Sequence, residues 1–295
     1  MVTILDGGMG GEIQKHLEGA NHGLWSAKAL IEAPDLVRSI HQAYVDAGAR
    51  IIITNTYSTI PSYLGKEGRA DAYLDYCQLA GEIARSVADQ TAGVQVAGSL
   101  PPLSESYRPD LVPDAALSVP IYESMVQTLN PFVDLYMCET MSTADEAFNA
   151  ARAAKRCGEG RPVYVAWTLN ETPGVGLRSL ETVEAAFERV AELNLDGFLF
   201  NCTTPEAVLP ALETLRGLTE KPIGCYVNRI EKVPEAWTLD NDKQTGRRTD
   251  LTRQYYVELS LAAIAAGADI VGGCCGIGPE DIAALAQAVG REPAA

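Results

Sequence analysis

The sequence is poor in histidine and in basic residues, and it contains no long apolar run. Only 3 of its 295 residues are histidine, and 23 basic residues against 39 acidic ones give a formal net charge of −16. An acidic chain is a poor partner for nucleic acid or an anionic membrane surface, because both attract basic patches. No stretch approaches the ~20 apolar residues of a membrane-spanning helix. We therefore expect neither nucleic acid nor a membrane as a partner.

Targeting segments and disulfide frameworks also leave no trace in the sequence. Asp6 interrupts the only apolar run near the N-terminus, and no basic segment precedes it, so we expect no signal peptide. The seven cysteines are an odd number and too sparse for a disulfide scaffold. These features predict a cytoplasmic protein with reduced thiols, some of which are available as ligands or nucleophiles.

The strongest positive signal is an alternation of short β-rich apolar runs with longer helical patterns. Eight strands are predicted in this way: Thr3–Asp6, Arg50–Thr56, Val94–Leu100, Asp134–Glu139, Pro162–Leu169, Gly197–Cys202, Pro222–Val227 and Ala268–Cys274. Eight strand–helix units in a chain of this length favour a closed barrel over an open sheet. We predict an α/β fold, a (β/α)8 TIM barrel, as a single domain over residues 1–295, with a doubly wound parallel sheet as the alternative.

Helix starts and stops support this alternation. Pro34 opens a helical pattern that Gly48 ends, and Pro279 opens the last one. A further helix begins at Pro205 and is predicted to end at Gly217. Pro210 lies inside it and predicts a kink or a break.

Three irregular stretches follow the third, fifth and seventh predicted strands. They cover Pro101–Pro113, Glu171–Gly176 and Asn228–Thr249. Barrel enzymes keep their chemistry at the C-terminal ends of the strands. The position of these loops therefore indicates a covered site at that mouth.

Residues that end different strands converge at the mouth of a barrel, so the predicted strand ends define the candidate site. They supply carboxylates, amides, hydroxyls and thiols: Asp6, Gly7, Gly8, Thr54, Asn55, Thr56, Ser99, Glu139, Thr140, Thr168, Asn170, Asn201, Cys202, Asn228, Cys274 and Cys275. No histidine or lysine is among them. This excludes a histidine-rich zinc hydrolase centre, a Cys–His nucleophile pair and a Schiff-base lysine.

Three cysteines lie at this mouth, on the sixth and eighth predicted strands. Cys202 follows Asn201, and Cys274 and Cys275 are adjacent within a glycine-rich segment. Three thiolates suit zinc, and three protein ligands leave a fourth position free, as in a catalytic site. Adjacent residues of a strand point in opposite directions, so both cysteines reach one ion only if the strand breaks there. The flanking glycines permit that break.

Two plainer interpretations stay open at this point. A cysteine is often a small buried apolar residue, which is our interpretation of the other four: Cys77, Cys138, Cys157 and Cys225. The glycines around Cys274 and Cys275 also lead into a helix N-terminus, where many barrels bind phosphate. No basic residue nearby supports the phosphate interpretation.

Several blocks resemble the homocysteine S-methyltransferase family. The opening ILDGGMGGEIQ is similar to the DGxMGTE block of that family, and HQAYVDAGARIIITNTY to its second block. CET at 138–140, FNC at 200–202 and GGCCGIGPEDI at 272–282 follow in the same order. The resemblance runs from about residue 4 to residue 289. It implies a (β/α)8 barrel in which Cys202, Cys274 and Cys275 bind zinc and homocysteine occupies the open position.

The resemblance also implies roles for residues around the metal. Glu139 and Asp6 are suited to the ammonium group of homocysteine, and the amides near Gly7 and Gly8, with the Thr54 hydroxyl, to its carboxylate; Asn201 is a further candidate contact. The bland alternatives are that Asp6 only fixes the turn after the first strand and that Glu139 caps a helix.

The expected reaction is methyl transfer from a positively charged donor to the thiol of homocysteine, which gives methionine. No Asp-x-His-x-x-Gly cobalamin motif occurs, so we expect S-methylmethionine as the donor first and S-adenosylmethionine second. The alternatives are betaine as donor, another thiol or a selenol such as selenocysteine as acceptor, and a non-catalytic barrel that binds a metal or a phosphorylated metabolite. Gly11 in place of the family's Thr, and YVNRIEK at 226–232 in place of YPNSGE, are departures from the pattern. The oligomeric state is left open.

Overall fold

The computed structural model describes residues 2–16, 25–233, 238 and 246–291. Eight parallel strands lie within these ranges, each near a predicted one: β1 (Thr3–Ile4), β2 (Ile51–Ile53), β3 (Gln95–Leu100), β4 (Leu135–Met141), β5 (Val163–Trp167), β6 (Gly197–Asn201), β7 (Ile223–Val227) and β8 (Ile270–Gly273). Most of them are shorter than predicted, because turn residues at their ends leave the ladder. All eight predicted strands are thus present.

The sheet closes into a barrel. Strands pair in the order β1-β8-β7-β6-β5-β4-β3-β2. A parallel bridge between Leu5 and Ile51 joins the two ends of this order. The N–H of Arg50 donates to the carbonyl of Ile4 at 2.8 Å, and that of Asp6 to the carbonyl of Ile51 at 3.1 Å. The predicted TIM barrel is therefore confirmed, and the doubly wound sheet is excluded.

Helices surround the barrel between the strands. They are α1 (Met9–His16), α2 (Trp25–Glu32), α3 (Pro34–Asp46), α4 (Pro61–Gly65), α5 (Tyr73–Ala88), α6 (Ala115–Leu129), α7 (Ala144–Cys157), α8 (Val183–Val190), α9 (Pro205–Leu218), α10 (Arg253–Ala265) and α11 (Pro279–Ala288). Pro34, Pro205 and Pro279 open their helices as predicted. The break predicted at Pro210 is absent, since α9 runs through that residue and past Gly217.

The core has two layers because the side chains of a strand alternate between its faces. Strands β2 to β8, with Leu5 directly after β1, contribute to the layer inside the barrel, which consists of Leu5, Ile51, Ala97, Leu135, Met137, Ala166, Leu199, Tyr226 and Ile270. The larger outer layer lies between the strands and the helices. Because apolar side chains fill the interior of the barrel, the polar residues at the strand ends lie at its C-terminal mouth.

Two of the three predicted loops are described completely. Pro101–Pro113 includes a short 3-10 helix at Pro109–Leu111, and Glu171–Gly176 is irregular as predicted. Of the loop predicted at Asn228–Thr249, residues 234–237 and 239–245 lie outside the described residues. Of the helices that the structure describes, none combines the length and the apolar composition that a membrane span requires.

Candidate metal and substrate site

Cys202 lies just beyond β6, two strands from the Cys274–Cys275 pair beyond β8. Strand β7 separates them and is hydrogen-bonded to both, as the predicted strand order requires. The N–H of Cys202 donates to the carbonyl of Tyr226 on β7 at 3.2 Å. Cys202 has φ 47°, a left-handed conformation that is uncommon for a residue other than glycine. This turn takes Cys202 out of the strand direction at the mouth.

The strand break that the cysteine pair requires is present. β8 ends at Gly273, and Cys274 and Cys275 lie in the turn that follows. The N–H of Ile277 donates to the carbonyl of Cys274 at 3.1 Å and closes this turn, while Gly276 adopts φ +80° within it. Both sulfurs are thus free to face the same point.

The three cysteine sulfurs form a cluster at the mouth. Their Sγ atoms all lie within 4.8 Å of one another, and those of Cys202 and Cys275 are 3.9 Å apart. Sulfurs bound at ~2.3 Å to a tetrahedral zinc ion are about 3.8 Å apart, so the cluster is close to that geometry. Among the residues that the structure describes, this is the one group of three or more His, Cys, Asp or Glu side chains arranged to hold a metal ion.

The cluster is polarised toward one thiolate. Hydrogen bonds from the Cys202 and Cys274 thiols hold the pKa of Cys275 well below its ordinary value. The pKa of Cys274 is raised in turn, chiefly through its hydrogen bond with Cys202. Cys202 is buried, Cys274 is half-buried and Cys275 is exposed. A cation reaching the mouth therefore meets the exposed sulfur of Cys275 first, and soft sulfur ligands fit a thiophilic divalent metal.

The loop after β1 packs directly against the cysteine turn. A side chain on Gly8 would place its Cβ 2.8 Å from the carbonyl oxygen of Cys274, and one on Gly7 would lie 2.5 Å from that of Ile277. The N–H of Gly8 donates to the carbonyl of Ile277 at 2.9 Å. The hydroxyl of Tyr44 on α3 donates to the carbonyls of Gly8 and Ile277, at 3.2 and 3.1 Å. Glycine is required at both positions by this close approach.

A buried ion pair supports the same turn from the other side. The N–H of Arg229, just beyond β7, donates to the carbonyl of Cys275 at 2.8 Å. Its guanidinium group bonds Asp281 at 3.0 Å, and these side chains are only 4% and 6% exposed. Asp281 also accepts the N–H of Gly278 at 3.1 Å, at the start of α11. Arg229 and Asp281 thus tie the cysteine turn to β7 and α11.

Glu139 is a buried acid on β4, two residues before the end of the strand at Met141. It accepts hydrogen bonds from the hydroxyl of Ser99 at 2.5 Å and from that of Tyr226 at 3.2 Å. Burial raises the pKa of Glu139 to about 7, and the two hydroxyls offset only part of this effect. The carboxylate is held by the hydroxyl groups of Ser99 and Tyr226, and no cationic side chain among the described residues forms an ion pair with it.

Asp6 is the second buried acid of the mouth. Its carboxylate accepts the N–H of Ile53 at 2.8 Å, which fixes the turn after β1. Burial raises the pKa of Asp6 well above its ordinary value, the bond from Ile53 lowers it, and the nearby charge of Glu139 raises it again. The charge of Glu139 disfavours the ionisation of Asp6, and a cation bound in this part of the mouth would relieve that effect.

Thr54 and Asn201 are buried and hydrogen-bonded to their surroundings. The Thr54 hydroxyl lies 2.9 Å from that of Thr56 and accepts the N–H of Ser99 at 3.0 Å. The Asn201 amide oxygen accepts the N–H of Thr140 at 2.7 Å, and its amide nitrogen donates to the Thr140 hydroxyl at 2.8 Å. Both residues therefore shape the mouth, and their contact with a substrate stays a prediction.

The remaining cysteines lie apart from the cluster. Cys77, Cys138 and Cys225 are buried, and Cys157 is half-buried. Burial raises the pKa values of Cys77 and Cys225 to about 12, so these thiols stay protonated. They behave as the small apolar residues that the sequence predicted.

Comparison with known proteins identifies the family. The family model described as homocysteine S-methyltransferase matches residues 3–289. The chain belongs to the homocysteine S-methyltransferase family. Homocysteine S-methyltransferase from Escherichia coli K12 is 28% identical over 96% of this chain and 94% of its own length. A selenocysteine methyltransferase from Astragalus bisulcatus is 27% identical over 95% of this chain and 90% of its own length.

A solved structure supports the same family assignment. The metallated form of the E. coli homocysteine methyltransferase MmuM superimposes with a TM-score of 0.81 at 26% identity, covering 96% of this chain and 95% of that one. The enzyme class predicted from the sequence is therefore confirmed as homocysteine S-methyltransferase. That relative carries a metal, and the cysteine cluster gives this chain a site suited to one.

Two departures from the pattern of homocysteine S-methyltransferases have different structural meanings. Gly11 lies in α1, and a Cβ there would meet nothing within 4 Å, so the missing threonine leaves open space. Arg229, in the divergent YVNRIEK block, is the buried partner of Asp281 and supports the cysteine turn. Nothing in the sequence pattern indicates this contact of the block with the cysteine turn.

Sequence reasoning also missed two tyrosines. Tyr226 lies on β7 with its side chain inside the barrel, and its hydroxyl reaches Glu139. Strand alternation was a usable signal for Tyr226, because it is two residues before the predicted strand-end residue Asn228. Tyr107 packs with Cys202 from the loop after β3, where no periodic pattern indicates which side chain turns inward.

Proposed function

We propose that this protein binds zinc through Cys202, Cys274 and Cys275 and transfers a methyl group from a sulfonium donor to the thiol of homocysteine, giving methionine. The observation that carries the proposal is the convergence of three sulfurs, all within 4.8 Å of one another, at the mouth that also holds two buried carboxyl groups. Soft ligands and a mouth open at Cys275 favour zinc with one position left for a substrate.

The metal and the cysteines have separate roles in activating the thiol of homocysteine. A free thiol has a pKa of about 8.5 and is mostly protonated at neutral pH. Bound zinc supplies Lewis acidity, so that the sulfur of homocysteine enters the reaction as a thiolate. The three cysteines hold the ion and fix the direction from which the acceptor sulfur approaches.

The buried acids and the glycine turn after β1 are suited to the ammonium and carboxylate groups of homocysteine. The buried carboxyl groups of Glu139 and Asp6 suit the ammonium group of homocysteine, because the charge of Glu139 disfavours the ionisation of Asp6 and a cation there relieves this effect. The N–H of Gly7 and the hydroxyl of Thr54 are proposed for its carboxylate, while Gly8, whose N–H is bonded to Ile277, shapes the turn beside it. Asn201 takes part through Thr140, whose backbone it holds.

Methyl transfer itself is an in-line displacement at carbon. The acceptor sulfur forms a bond to the methyl carbon as the bond from carbon to the donor's sulfonium sulfur breaks, and the electron pair of that bond stays on the departing sulfur. The sulfonium sulfur of the donor leaves as a thioether, so its positive charge and the negative charge of the acceptor thiolate cancel in the two products. Holding the two reactants in line lowers the activation barrier by several kcal/mol, since well-oriented intramolecular reactions gain ~7–11 kcal/mol.

Metal content is the first test of the proposal. The protein purified without chelator is expected to contain about one zinc per chain, and Cys275→Ser is expected to lose it. Cys157→Ser is the matched control, because Cys157 lies on α7 outside the cluster. Elemental analysis of the three proteins decides the matter. Equal zinc in Cys275→Ser and in the parent protein contradicts the proposed ligand set.

A substrate panel is the second part of the same test. We expect homocysteine to be methylated by S-methylmethionine in preference to S-adenosylmethionine, with betaine as the weakest donor. Selenocysteine is included as acceptor because a selenocysteine methyltransferase is among the relatives. A zinc-loaded protein that methylates no thiol or selenol with any of these donors contradicts the reaction and favours a metal-binding protein without catalytic activity.

A further inference from the structure

The loops after β3, β5 and β7 meet over Cys202. Tyr107, Cys202 and Val233 form one buried apolar cluster, against which Ile230 and Cys274 pack. Tyr107 comes from the loop after β3, and Val233 and Ile230 come from the loop after β7. The proposed metal centre is therefore roofed by residues that belong neither to the strands nor to the cysteine blocks.

Two contacts hold Tyr107 in this cluster, one at its hydroxyl group and one on the face of its ring. Its hydroxyl and the sulfur of Cys202 form a hydrogen bond. The guanidinium group of Arg178, from the loop after β5, lies over its ring with 4.8 Å between the guanidinium carbon and the ring centre. Such a cation is attracted by the negative face of an aromatic ring.

Glu171 binds Arg178 and links the loop after β5 to the loop after β7. Arg178 donates to Glu171 at 3.1 Å, and both side chains are nearly buried, at 11% and 12% exposed. The same carboxylate oxygen of Glu171 accepts the N–H of Val233 at 2.9 Å. One chain of contacts thus runs from the loops after β5 and β7, through the ring of Tyr107, to the sulfur of Cys202.

Backbone strain at both ends of the hydrogen bond supports a functional purpose. Tyr107 has φ 63° and Cys202 has φ 47°, although neither residue is a glycine. Such conformations persist only where the surroundings enforce them, and they concentrate at functional sites. Here the strained residues are the two that the hydrogen bond joins.

We propose that Tyr107 is a positioning residue of the metal centre, which holds the sulfur of Cys202 toward those of Cys274 and Cys275. The inference rests on the metal site proposed above. A thiolate sulfur only accepts hydrogen bonds, so the Tyr107 hydroxyl is the donor once Cys202 is a ligand. Partners of this kind orient metal ligands, and their loss typically weakens metal binding by about 10–100-fold.

The test is the zinc affinity of Tyr107→Phe, measured by competition with a chromophoric chelator of known affinity. This readout does not depend on methyl transfer. We expect zinc binding to be weakened by about 10–100-fold, because the ring stays and only the hydroxyl is lost. Tyr136→Phe is the control, since it also loses buried hydroxyl bonds, to Val126 and Asn130, which do not involve Cys202, Cys274 or Cys275. Its zinc affinity is expected to equal that of the parent.

A spectroscopic readout separates positioning from a general loosening of the fold. In the cobalt-substituted protein, a hydrogen bond to a thiolate lowers the energy of the sulfur lone pairs and raises that of the sulfur-to-cobalt charge-transfer band. Tyr107→Phe is therefore expected to move this band to lower energy. Arg178→Lys, which keeps the charge beside Glu171 and loses the planar stack, is expected to shift it in the same direction by a smaller amount. It provides the measurement if Tyr107→Phe does not fold.

The outcomes distinguish this inference from the proposal on which it rests. A parent protein that binds neither zinc nor cobalt overturns both. A parent that binds zinc, with Tyr107→Phe and Arg178→Lys unchanged in affinity and in the cobalt band, overturns the role of Tyr107 and leaves the three-cysteine site in place.

Discussion

Thr140 has a strained backbone conformation, which orients the side chain of the neighbouring Glu139. Its φ of 59° is an outlier for a β-branched residue, and it lies where the pairing of β4 with β5 shifts register, between Cys138 and Met141. Irregularities of this kind re-aim a neighbouring side chain. Asn201 holds Thr140 by two hydrogen bonds, so it influences the position of the adjacent Glu139.

Glu139→Gln tests the ammonium site at the residue scale. The amide keeps the shape of the side chain and its bonds to hydroxyl groups, but it removes the charge that the ammonium requires. A hydrogen bond to a charged group contributes ~1.5–3 kcal/mol, so we expect KM for homocysteine to rise by about 10–100-fold. KM for the methyl donor is expected to stay within about twofold, as measured in steady-state assays with each substrate varied.

Glu146→Gln is the matched control for this experiment. Glu146 is likewise buried near the C-terminal end of β4, and burial raises its pKa to about 7 as well. Its carboxylate instead accepts the N–H of Ser142 at 2.7 Å, which is a structural role. Both KM values are expected to be unchanged in this variant. A Glu139→Gln protein whose two KM values rise by the same factor contradicts the role in ammonium binding.

The sequence was informative about residues at strand ends and uninformative about residues in loops. Glu139, Cys202 and Cys274 were predicted at one mouth because the carboxyl ends of parallel strands meet in a barrel. Tyr107 and Arg229 were not predicted, because their partners are fixed by loop conformations that no periodic pattern encodes. The contact of Arg229 with Asp281 joins residues 52 positions apart.

At the scale of elements, the turn after β8 depends on the loop after β1 that packs against it. The N–H of Gly273 donates to the carbonyl of Asp6 at 3.0 Å, and Gly8 leaves no room for a side chain beside Cys274. The first and last strands are neighbours in the barrel, so the opening and the closing blocks of the sequence meet here. The position of two sulfurs is thus set by residues more than 260 positions earlier.

Gly8→Ala is expected to displace the cysteine turn and to weaken zinc binding by at least about tenfold. The reason is that its Cβ would lie 2.8 Å from the carbonyl oxygen of Cys274, which is backbone and has little freedom to move. Overpacking of this kind also costs ~1–3 kcal/mol of stability. Chelator competition and urea unfolding measure the two effects.

Gly11→Ala supplies the control three residues further along. Gly11 lies in α1 with open space around it, so alanine is expected to leave zinc affinity unchanged and to stabilise the protein by ~0.5–1 kcal/mol through its better helix propensity. If Gly8→Ala binds zinc as tightly as Gly11→Ala, the close approach does not determine the cysteine geometry.

The prediction for α9 shows why a local rule fails within a larger structure. Proline removes a hydrogen bond inside a helix, which predicted a kink or a break at Pro210. In the structure α9 continues through it, and Ala207, Ala211 and Leu215 on either side are buried. Packing of the apolar face against the barrel outweighs the local cost.

At the scale of the whole molecule, the buried acids make the stability of the fold depend on pH. Burial raises the pKa of both Glu139 and Glu146 to about 7, from an ordinary value of 4.5. Between these two values the folded chain binds more protons than the unfolded chain. Stability is therefore highest below about pH 4.5 as far as these groups are concerned, and it falls as the pH rises through 7.

Glu146→Gln is expected to remove the share of this pH dependence that belongs to Glu146. The amide resembles the protonated acid, so the variant and the parent should have similar free energies of unfolding near pH 4.5. Above pH 7 the parent must keep a charge buried and the variant need not. A shift of this size corresponds to about 3 kcal/mol in favour of the variant. Urea unfolding of the metal-free proteins at a series of pH values measures the difference.

The comparison isolates one group because all other titrations are shared by the two proteins and cancel. The mutated side chain keeps an oxygen to accept the N–H of Ser142, so the hydrogen bond at the start of α7 is retained. The difference in unfolding free energy should therefore grow between pH 4.5 and pH 7 and then level off. Curves that stay parallel across this range would show that Glu146 titrates normally, which its burial argues against.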